Sequence, residues 1–491
     1  MSTNDETTTE DETLGERIRR NPGPATMWVA GAALLVAVQF GAIWSTIMGI
    51  PWETVVGYLP AAPGAAALAA VGDALADLPT LLDRSVIPNQ GYYHPDDGWR
   101  GTFLGLSPAV AWALRVALVY AYAFTWVAWV WKGYNIYREI YRTADWTPRD
   151  DMVDRLRSHH WGQFGFIIVF MFIVLALFAP TLGPTTITEN IQEPYSHEIE
   201  YFDSEAGEPA TILVGYANQD TTSGGSGNNN VGVGEYDQYD RYHPFGTITN
   251  GKDLFTFLAG GARISLFIGL VSMGLAGVIA LSFAMISAYY KGLTDIAMVL
   301  ASDSIMALPG LPLLILLTVV LGSHPIAGVY NGALLLALIF AFTRWPGLWR
   351  SLRGPAFQIS EEEWIDAARS YGQRPRTTMR KHMAPYVLGY LLIYTSMSLG
   401  GVIIATSGLS FLGLGITAPT PEWGRAIDMG QDYITTQSWH ISLIPGFLIV
   451  LVVTAFNALG DGIRDAIDPQ SDLGSEGESG ESAAAASGGG A

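Results

Sequence analysis

The stretch at residues 161–188 reads WGQFGFIIVFMFIVLALFAPTLGPTTIT and contains no charged side chain. A run of about 18 or more apolar residues is long enough to cross a hydrocarbon core roughly 30 Å thick. Residues 27–50 form a second run without charge. A backbone in lipid must satisfy its own hydrogen bonds, and these runs lack the alternation of a transmembrane β-strand, so we expect helices. The sequence therefore predicts an all-α, polytopic membrane protein.

The overall composition agrees with this fold class. Hydrophobic residues make up 49% of the 491 residues and charged residues only 14%, whereas a soluble domain carries about 25% charged residues. The absence of cysteine excludes disulfides, thiolate metal sites and a cysteine nucleophile. A net charge of −19 argues against a nucleic-acid partner. We hypothesise that the acid excess and the scarcity of lysine reflect a halophilic protein in a high-salt cytoplasm, with an ordinary acidic protein as the alternative.

The remaining apolar segments extend the pattern to eight predicted spans. They lie near 27–49, 108–131, 162–183, 263–288, 294–321, 328–348, 386–412 and 440–459. Arg and Lys concentrate at 132–160 and 349–385, and short basic connections usually face the cytoplasm. We therefore expect both termini to be cytoplasmic. Acidic segments 50–103 and 184–242 then lie outside, with an interfacial helix over 62–83 and a short strand over Thr211–Tyr216.

These features predict a division of the chain into segments. The leading residues are acidic and the last ones are rich in Ser, Gly and Ala, so both ends are expected to be disordered. The predicted parts are a disordered cytoplasmic tail 1–26, an N-terminal extension 27–160 with two spans and an external segment, a first core span with an acidic external segment at 161–242, a core at 243–469 and a disordered tail 470–491.

The connection 349–385 between two predicted spans is the most informative segment for function. Ser360 followed by Glu363 has the spacing of a capping box, which begins a helix. Gly372 can end that helix in a left-handed cap. The sequence thus predicts a short amphipathic helix over about 360–371. Its role is open at this point: it is either a contact for another protein or a surface helix that only joins two spans.

Within this connection the residues resemble a known motif. Asp366-Ala367-Ala368, followed by Gly372 and Pro385, resembles the EAA loop of binding-protein-dependent ABC transporter permeases. Asp366 stands where the family usually has Glu, so the acidic character is retained.

Further segments resemble the dipeptide, oligopeptide and nickel branch of that family. They are His243–Thr247, Gly251–Asp253, Gly261–Leu266, Leu409–Gly415, Pro419–Gly424 and Asn457–Asp465. The chain departs from the family at Ile248, where Asp is usual, and at Lys252, where Arg is usual. The resemblance covers about 160–469, so the two leading spans are an addition to it.

The resemblance implies a six-span permease core preceded by two additional spans. It implies that Asp366, Ala367, Ala368, Gly372 and Pro385 couple the chain to ATPase subunits. The implied partners are a second homologous permease subunit, two cytoplasmic ATPase subunits, an extracellular solute-binding protein and the lipid bilayer. The chain itself would be non-catalytic and without a cofactor, and it contains no G-x-x-x-x-G-K-[ST] phosphate loop. The expected cargo is di- or oligopeptides.

Polar residues inside the spans have two interpretations. A charge at membrane depth costs about 2.5–3.5 kcal/mol, so Asp303 and Arg344 either line a pathway or make structural contacts. No metal site is expected, because the adjacent His159 and His160 would point about 100° apart on a helix. The alternative functions are a self-contained channel or an ion-coupled secondary transporter. A membrane-anchored sensor or enzyme is a third option, which no catalytic set of side chains supports.

Overall fold

The computed structural model describes residues 12–40 and 80–467, apart from 145, 226 and 228. The chain divides into two compact units. The first comprises Met1–Thr147, Ile199–Ile212 and Gln238–Tyr242, and the second comprises Pro148–Glu198, Leu213–Asp237 and His243–Ala491. The first unit thus ends at Thr147, before the boundary expected at 160, and it includes two stretches of the segment 184–242.

The first unit combines helices with short antiparallel hairpins. Its elements are α1 (Leu14–Arg20), α2 (Pro22–Val38), β1 (Tyr92–His94), β2 (Gly98–Arg100), a 3₁₀ turn (Phe103–Gly105), α3 (Pro108–Ile136) with a π-helical end (Tyr137–Tyr141), β3 (Glu198–Asp203) and β4 (Glu208–Leu213). Strands β1 and β2 pair with each other, as do β3 and β4.

The N-terminal region differs from the prediction. Disorder was expected over 1–26, and it is wrong from Leu14 onward because α1 and α2 begin there. The carboxylate of Glu16 accepts a hydrogen bond from the backbone nitrogen of Thr13 at 2.8 Å, which stabilises the start of α1. Part of the predicted span 27–49 and most of the interfacial helix expected at 62–83 lie outside the described residues, as does the tail 470–491.

Helices α2 and α3 pack through a reciprocal pair of tryptophans. The indole of Trp28 donates to the carbonyl of Trp129 at 2.9 Å, and Trp129 donates to the carbonyl of Trp28 at 3.1 Å. Each ring also covers a glycine of the other helix, Gly133 and Gly31 respectively, where a Cβ atom would collide with it. Helix α3 confirms the second predicted span and extends beyond it.

The second unit is mainly helical. Its elements are α4 (Pro148–Ser158), α5 (His160–Leu177), α6 (Ala179–Leu182), a π turn (Thr188–Gln192), α7 (Val214–Gln219), β5 (Glu235–Tyr236), β6 (Tyr242–His243), α8 (Leu254–Tyr290), α9 (Gly292–Met306), α10 (Gly310–Leu321), a 3₁₀ segment (Pro325–Gly332), α11 (Ala333–Ser360), α12 (Glu363–Ser370), α13 (Pro375–Thr378), a π turn (Met379–Met383), α14 (Ala384–Phe411), α15 (Trp423–Gly430), a 3₁₀ turn (Gln431–Tyr433) and α16 (His440–Ile467). The strand expected at Thr211–Tyr216 ends at Leu213, and the chain continues as helix α7.

Among the described residues, six helices are long and apolar enough to cross a membrane, or up to eight spans exist if each sharply bent helix pair counts as one. The prediction of one continuous span over 294–321 is wrong. Helices α9 and α10 replace it and meet at an angle of 82°. Pro309 lies at the break and precedes α10 as its N-cap; without an N–H group it cannot continue the hydrogen-bond ladder of α9.

The long helix α8 lies at the centre of the second unit. One buried cluster joins α8 to α11 and α14 and includes Ile365 of the connecting segment. A second cluster joins α8 to α5, α15 and α16 around Trp423. The indole of Trp423 is fully buried and donates to the carbonyl of Leu258 in α8 at 2.7 Å. The first cluster also contains Leu352 and Met383, so it holds both ends of the connection 349–385.

Candidate functional site

The short helix predicted in the connection 349–385 is present as α12, Glu363–Ser370. Its start differs from the prediction. Ser360 is the last residue of α11, and its hydroxyl donates to the carbonyl of Phe357 at 2.8 Å, so it does not cap α12. Glu362 is the N-cap instead. The capping box predicted from Ser360 and Glu363 is therefore wrong.

The end of α12 follows the prediction. Gly372 has φ +71°, a left-handed conformation that favours glycine. The nitrogen of Gly372 donates to the carbonyl of Arg369 at 2.9 Å, and that of Gln373 to the carbonyl of Ala368 at 3.0 Å. These two bonds form a Schellman motif, which satisfies the last carbonyls of a helix. Residue 372 thus sets the length of α12.

One side of α12 is buried and the other is exposed. Ile365 is 0% exposed and belongs to the core around α8 and α11. Asp366 and Ala367 are exposed, whereas Ala368 is half-buried. Trp364 is 44% exposed. The helix therefore buries one aliphatic side chain in the protein and exposes an acid, a small side chain and part of a tryptophan.

Pro385 follows α12 in the chain and precedes Tyr386, whose ring lies 5.8 Å from the ring of Trp364. Pro385 is the second residue of α14 and follows directly on the π turn Met379–Met383, where the regular helical hydrogen-bond pattern is already interrupted. The five residues expected to act in coupling thus form two groups: Asp366, Ala367, Ala368 and Gly372 lie on or just after α12, and Pro385 lies inside the following span, Pro375–Phe411.

Contacts made by charged side chains connect both ends of α12 to the junction between α8 and α9. The ammonium of Lys291 lies 2.5 Å from a carboxylate oxygen of Glu361, and this contact lowers the pKa of Glu361. Arg369 donates to the carbonyl of Tyr289 at 3.2 Å. Its guanidinium carbon also lies 4.4 Å from the centroid of the Tyr289 ring, within the range of a cation–π contact.

Asp303 and Arg344, the two charged residues expected in spans, do not meet each other. Asp303 in α9 forms an ion pair with Arg350 of α11. Arg344 is exposed in the middle of α11, and the part of the chain that the structure describes offers it no acidic partner. Arg115 in α3 is buried, 1% exposed, and donates to the carbonyl of Ile87 at 3.0 Å.

A buried glutamate lies in a segment whose role the sequence did not reveal. Glu422 is 0% exposed. Its carboxylate accepts hydrogen bonds from the nitrogen of Gly424 at 2.7 Å and the hydroxyl of Ser407 at 2.9 Å. Burial raises the pKa of Glu422, although these bonds act in the opposite direction. Pro421-Glu422-Trp423-Gly424 was visible as a motif, but only the fold shows that Glu422 caps α15.

A buried histidine is held between two acids near the start of α8. The ring of His243 lies 2.9 Å from a carboxylate oxygen of Asp253 and 3.2 Å from one of Asp237. Burial lowers the pKa of His243, but the two carboxylates outweigh it and the net direction is upward. Asp253 also caps α8 by accepting from the nitrogen of Thr256 at 2.6 Å, so this cluster fixes the first turn of the central helix.

No metal centre is found in the described part of the chain, where no group of three or more His, Cys, Asp or Glu residues is arranged to hold an ion. His159, considered with His160 as a pair, makes other contacts: it lies 2.9 Å from Asp465 and accepts from the nitrogen of Gly162 at 2.8 Å.

Comparison with known protein families gives two matches. Residues 277–472 match the family described as binding-protein-dependent transport system inner membrane component. Residues 147–198 match the N-terminal transmembrane domain of oligopeptide transport permease C. The second match begins where the first compact unit ends.

Curated relatives agree with these matches. The chain is 31% identical over 324 residues to the glutathione transport system permease protein GsiD of Shigella dysenteriae, covering 66% of this chain and 91% of the relative. It is 28% identical over 324 residues to the dipeptide transport system permease protein DppC of Alkalihalophilus pseudofirmus, covering 66% and 90%. It is 36% identical over 228 residues to the DppC protein of Bacillus subtilis, covering 46% and 69%.

Proposed function

Because the chain belongs to the family of binding-protein-dependent transport system inner membrane components, we propose that it forms half of a membrane pathway for di- or oligopeptides in an ATP-driven importer. The observation that carries the coupling part of this proposal is helix α12. It is anchored by the buried Ile365 and exposes Asp366 and Ala367, and it stands between two helices long enough to cross a membrane.

We infer that α12 docks on a separate ATPase subunit. Small side chains such as Ala367 let a partner surface approach the helix backbone closely, and the exposed Trp364 supplies apolar area for a contact. ATP-driven closure of two such subunits would displace α12, and the permease would alternate between inward-facing and outward-facing states by rigid-body motion. The second pathway half would come from a homologous permease subunit, and cargo from an extracellular solute-binding protein.

The charge of the connection supports an orientation. The connection 349–385, which contains α12, carries Arg350, Arg353, Arg369, Arg374 and Arg376. Positively charged connections face the cytoplasm in most membrane proteins. We therefore place α12 and both chain termini on the cytoplasmic side, where ATP is available.

The peptide cargo is supported by the relatives. Two of them are named for dipeptide transport and one for glutathione transport, and glutathione is itself a small peptide. We infer that the cargo of this chain is of the same chemical class.

Arg344 is proposed as a pathway residue. Its helix α11 exposes Leu338 and Phe342 in its first half, but further along it exposes Arg344, Gly347 and Gly354. At 100° per residue, Arg344 lies about 160° around the helix from Phe342. A Cβ atom at Gly347 or Gly354 would meet nothing within 4 Å. This second, polar face is suited to a hydrated path, whereas the Asp303–Arg350 ion pair has a structural role.

The docking proposal is tested with the bulky substitution Ala367→Trp. Ala367 is exposed, so the variant should insert and fold normally but lose transport and co-purification with the ATPase subunits. Ala33→Trp is the matched control, because Ala33 is an exposed alanine on α2. Normal co-purification and transport by Ala367→Trp would refute docking through α12. Transport by the purified chain alone, without nucleotide, would favour a channel or an ion-coupled carrier instead.

A further inference from the structure

Helix α12 is held at both of its ends by one short stretch of backbone. Before its first turn, Glu361 pairs with Lys291 at 2.5 Å. In its last turn, Arg369 donates to the carbonyl of Tyr289 and stacks on the Tyr289 ring at 4.4 Å. Tyr289 and Lys291 both belong to the α8–α9 junction. We call these four residues the clamp.

The junction that receives the clamp has an unusual backbone. Lys291 has φ +53° and Gly292 has φ +50°. Positive φ is uncommon for a residue with a side chain, and it persists only where the surroundings hold it. The nitrogen of Lys291 donates to the carbonyl of Ser287 at 2.9 Å, which closes the last turn of α8. Helix α8 therefore ends at a defined point, and the ammonium of Lys291 contacts Glu361 from that point.

Helix α9 extends from the same junction and is tied to α11. Asp295 accepts two hydrogen bonds from Arg353, at 2.8 and 2.5 Å. Asp303, two turns further along, pairs with Arg350. A two-point attachment fixes both the position and the direction of α9 relative to α11. The attachment ends close to Pro309, where α10 departs at 82°.

We propose that the clamp delivers the displacement of α12 to the α8–α9 junction, and that Lys291 and Arg369 are positioning residues for coupling. The inference rests on the proposed function, because it requires that an ATPase subunit moves α12. A helix held at one end would tilt when pushed, whereas a helix held at both ends passes on the full displacement. Helix α9 then carries the movement to the break at Pro309, where the path of the chain changes direction.

The test uses the complete transporter in lipid vesicles and reports peptide transported per ATP hydrolysed. Lys291→Glu and Glu361→Lys each place like charges opposite each other, and the double variant restores an opposite pair. Exposed ion pairs correspond to factors of about two to five in an equilibrium. We therefore expect each single variant to lower the ratio by about two- to fivefold, and the double variant to recover it. Arg369→Gln should lower the ratio in the same way, and Arg369→Lys should retain most of it.

Co-purification separates this inference from the docking proposal. Lys291→Glu should bind the ATPase subunits as wild type does, since Lys291 lies outside the exposed face of α12. Glu12→Lys, which breaks the exposed Arg20–Glu12 pair at 2.7 Å in the first unit, is the control and should not change the ratio. An unchanged ratio in Lys291→Glu, or no recovery in the double variant, would overturn the clamp. Wild-type protein that fails to bind ATPase subunits would instead overturn the proposed function.

Discussion

Replacing Ile365 by alanine should weaken the attachment of α12 to the rest of the protein. Ile365 is the residue of this helix that is fully buried, and it is 0% exposed. The substitution removes three carbon atoms, which at about 0.8 kcal/mol each gives roughly 2.4 kcal/mol. Buried Ile→Ala changes cost about 2–5 kcal/mol in general. We expect the lower end, near 2–3 kcal/mol, because the exposed side of α12 allows the site to collapse around the missing atoms.

Hydrogen exchange measures this effect locally. Since 1.4 kcal/mol is a factor of about ten, 2–3 kcal/mol raises the undocked population roughly 30- to 140-fold. Backbone amides of α12 should lose protection by that factor, while those of α16 should keep theirs. Ile365→Val removes one carbon and should give an intermediate loss, corresponding to about 0.5–1.5 kcal/mol. Ser370→Ala, at an exposed position, should change little. Less than a threefold change in Ile365→Ala would refute the view that this side chain anchors the helix.

Three further perturbations test other parts of the fold. Gly372→Ala should destabilise the end of α12 by about 1–2 kcal/mol, because residue 372 has φ +71°. The cost comes from the backbone alone, since a Cβ atom there would meet nothing within 4 Å. Amide exchange at the end of α12 should become faster, and unchanged exchange would contradict this. Trp423→Phe removes the donor to Leu258 and should lower the thermal midpoint in detergent, at a cost of about 1–3 kcal/mol. The pKa of His243 is raised, so its contribution to stability is fully present below about pH 6.5 and is lost as the pH rises through the folded-state pKa. His243→Gln should therefore reduce the dependence of the thermal unfolding midpoint on pH.

Hydrophobic patterning predicted the spans because lipid leaves the backbone few alternatives. It did not predict their lengths. Helix α8 begins at Leu254, not near 263, and α16 continues to Ile467, past the expected end near 459. Hydropathy identifies the apolar part of a helix that can lie in the hydrocarbon core. Capping residues and tertiary contacts determine where the helix begins and ends. Asp253, which caps α8, illustrates this: its carboxylate contacts Thr256 and His243 at once.

In the candidate site, too, a feature set by adjacent residues could be predicted, whereas contacts between distant residues could not. Gly372 could be predicted because a left-handed cap depends on adjacent residues alone. Ser360 was assigned wrongly because a Ser-x-x-Glu pattern does not reveal whether the preceding helix has already ended. The Lys291–Glu361 pair joins residues 70 positions apart, and nothing in the local sequence marks that contact. Assignment of Asp366, Ala367, Ala368 and Pro385 to coupling remains a prediction from resemblance.

The reciprocal packing of Trp28 and Trp129 has a consequence for how the first unit tolerates substitutions. Each indole both donates to the opposite backbone and occupies the space above the opposite glycine. An alanine at Gly31 would collide with the ring of Trp129 and displace it. The displaced ring would then lose its hydrogen bond to the carbonyl of Trp28. The positions Trp28, Gly31, Trp129 and Gly133 thus depend on one another, and a substitution at any one of them weakens the packing of α2 against α3.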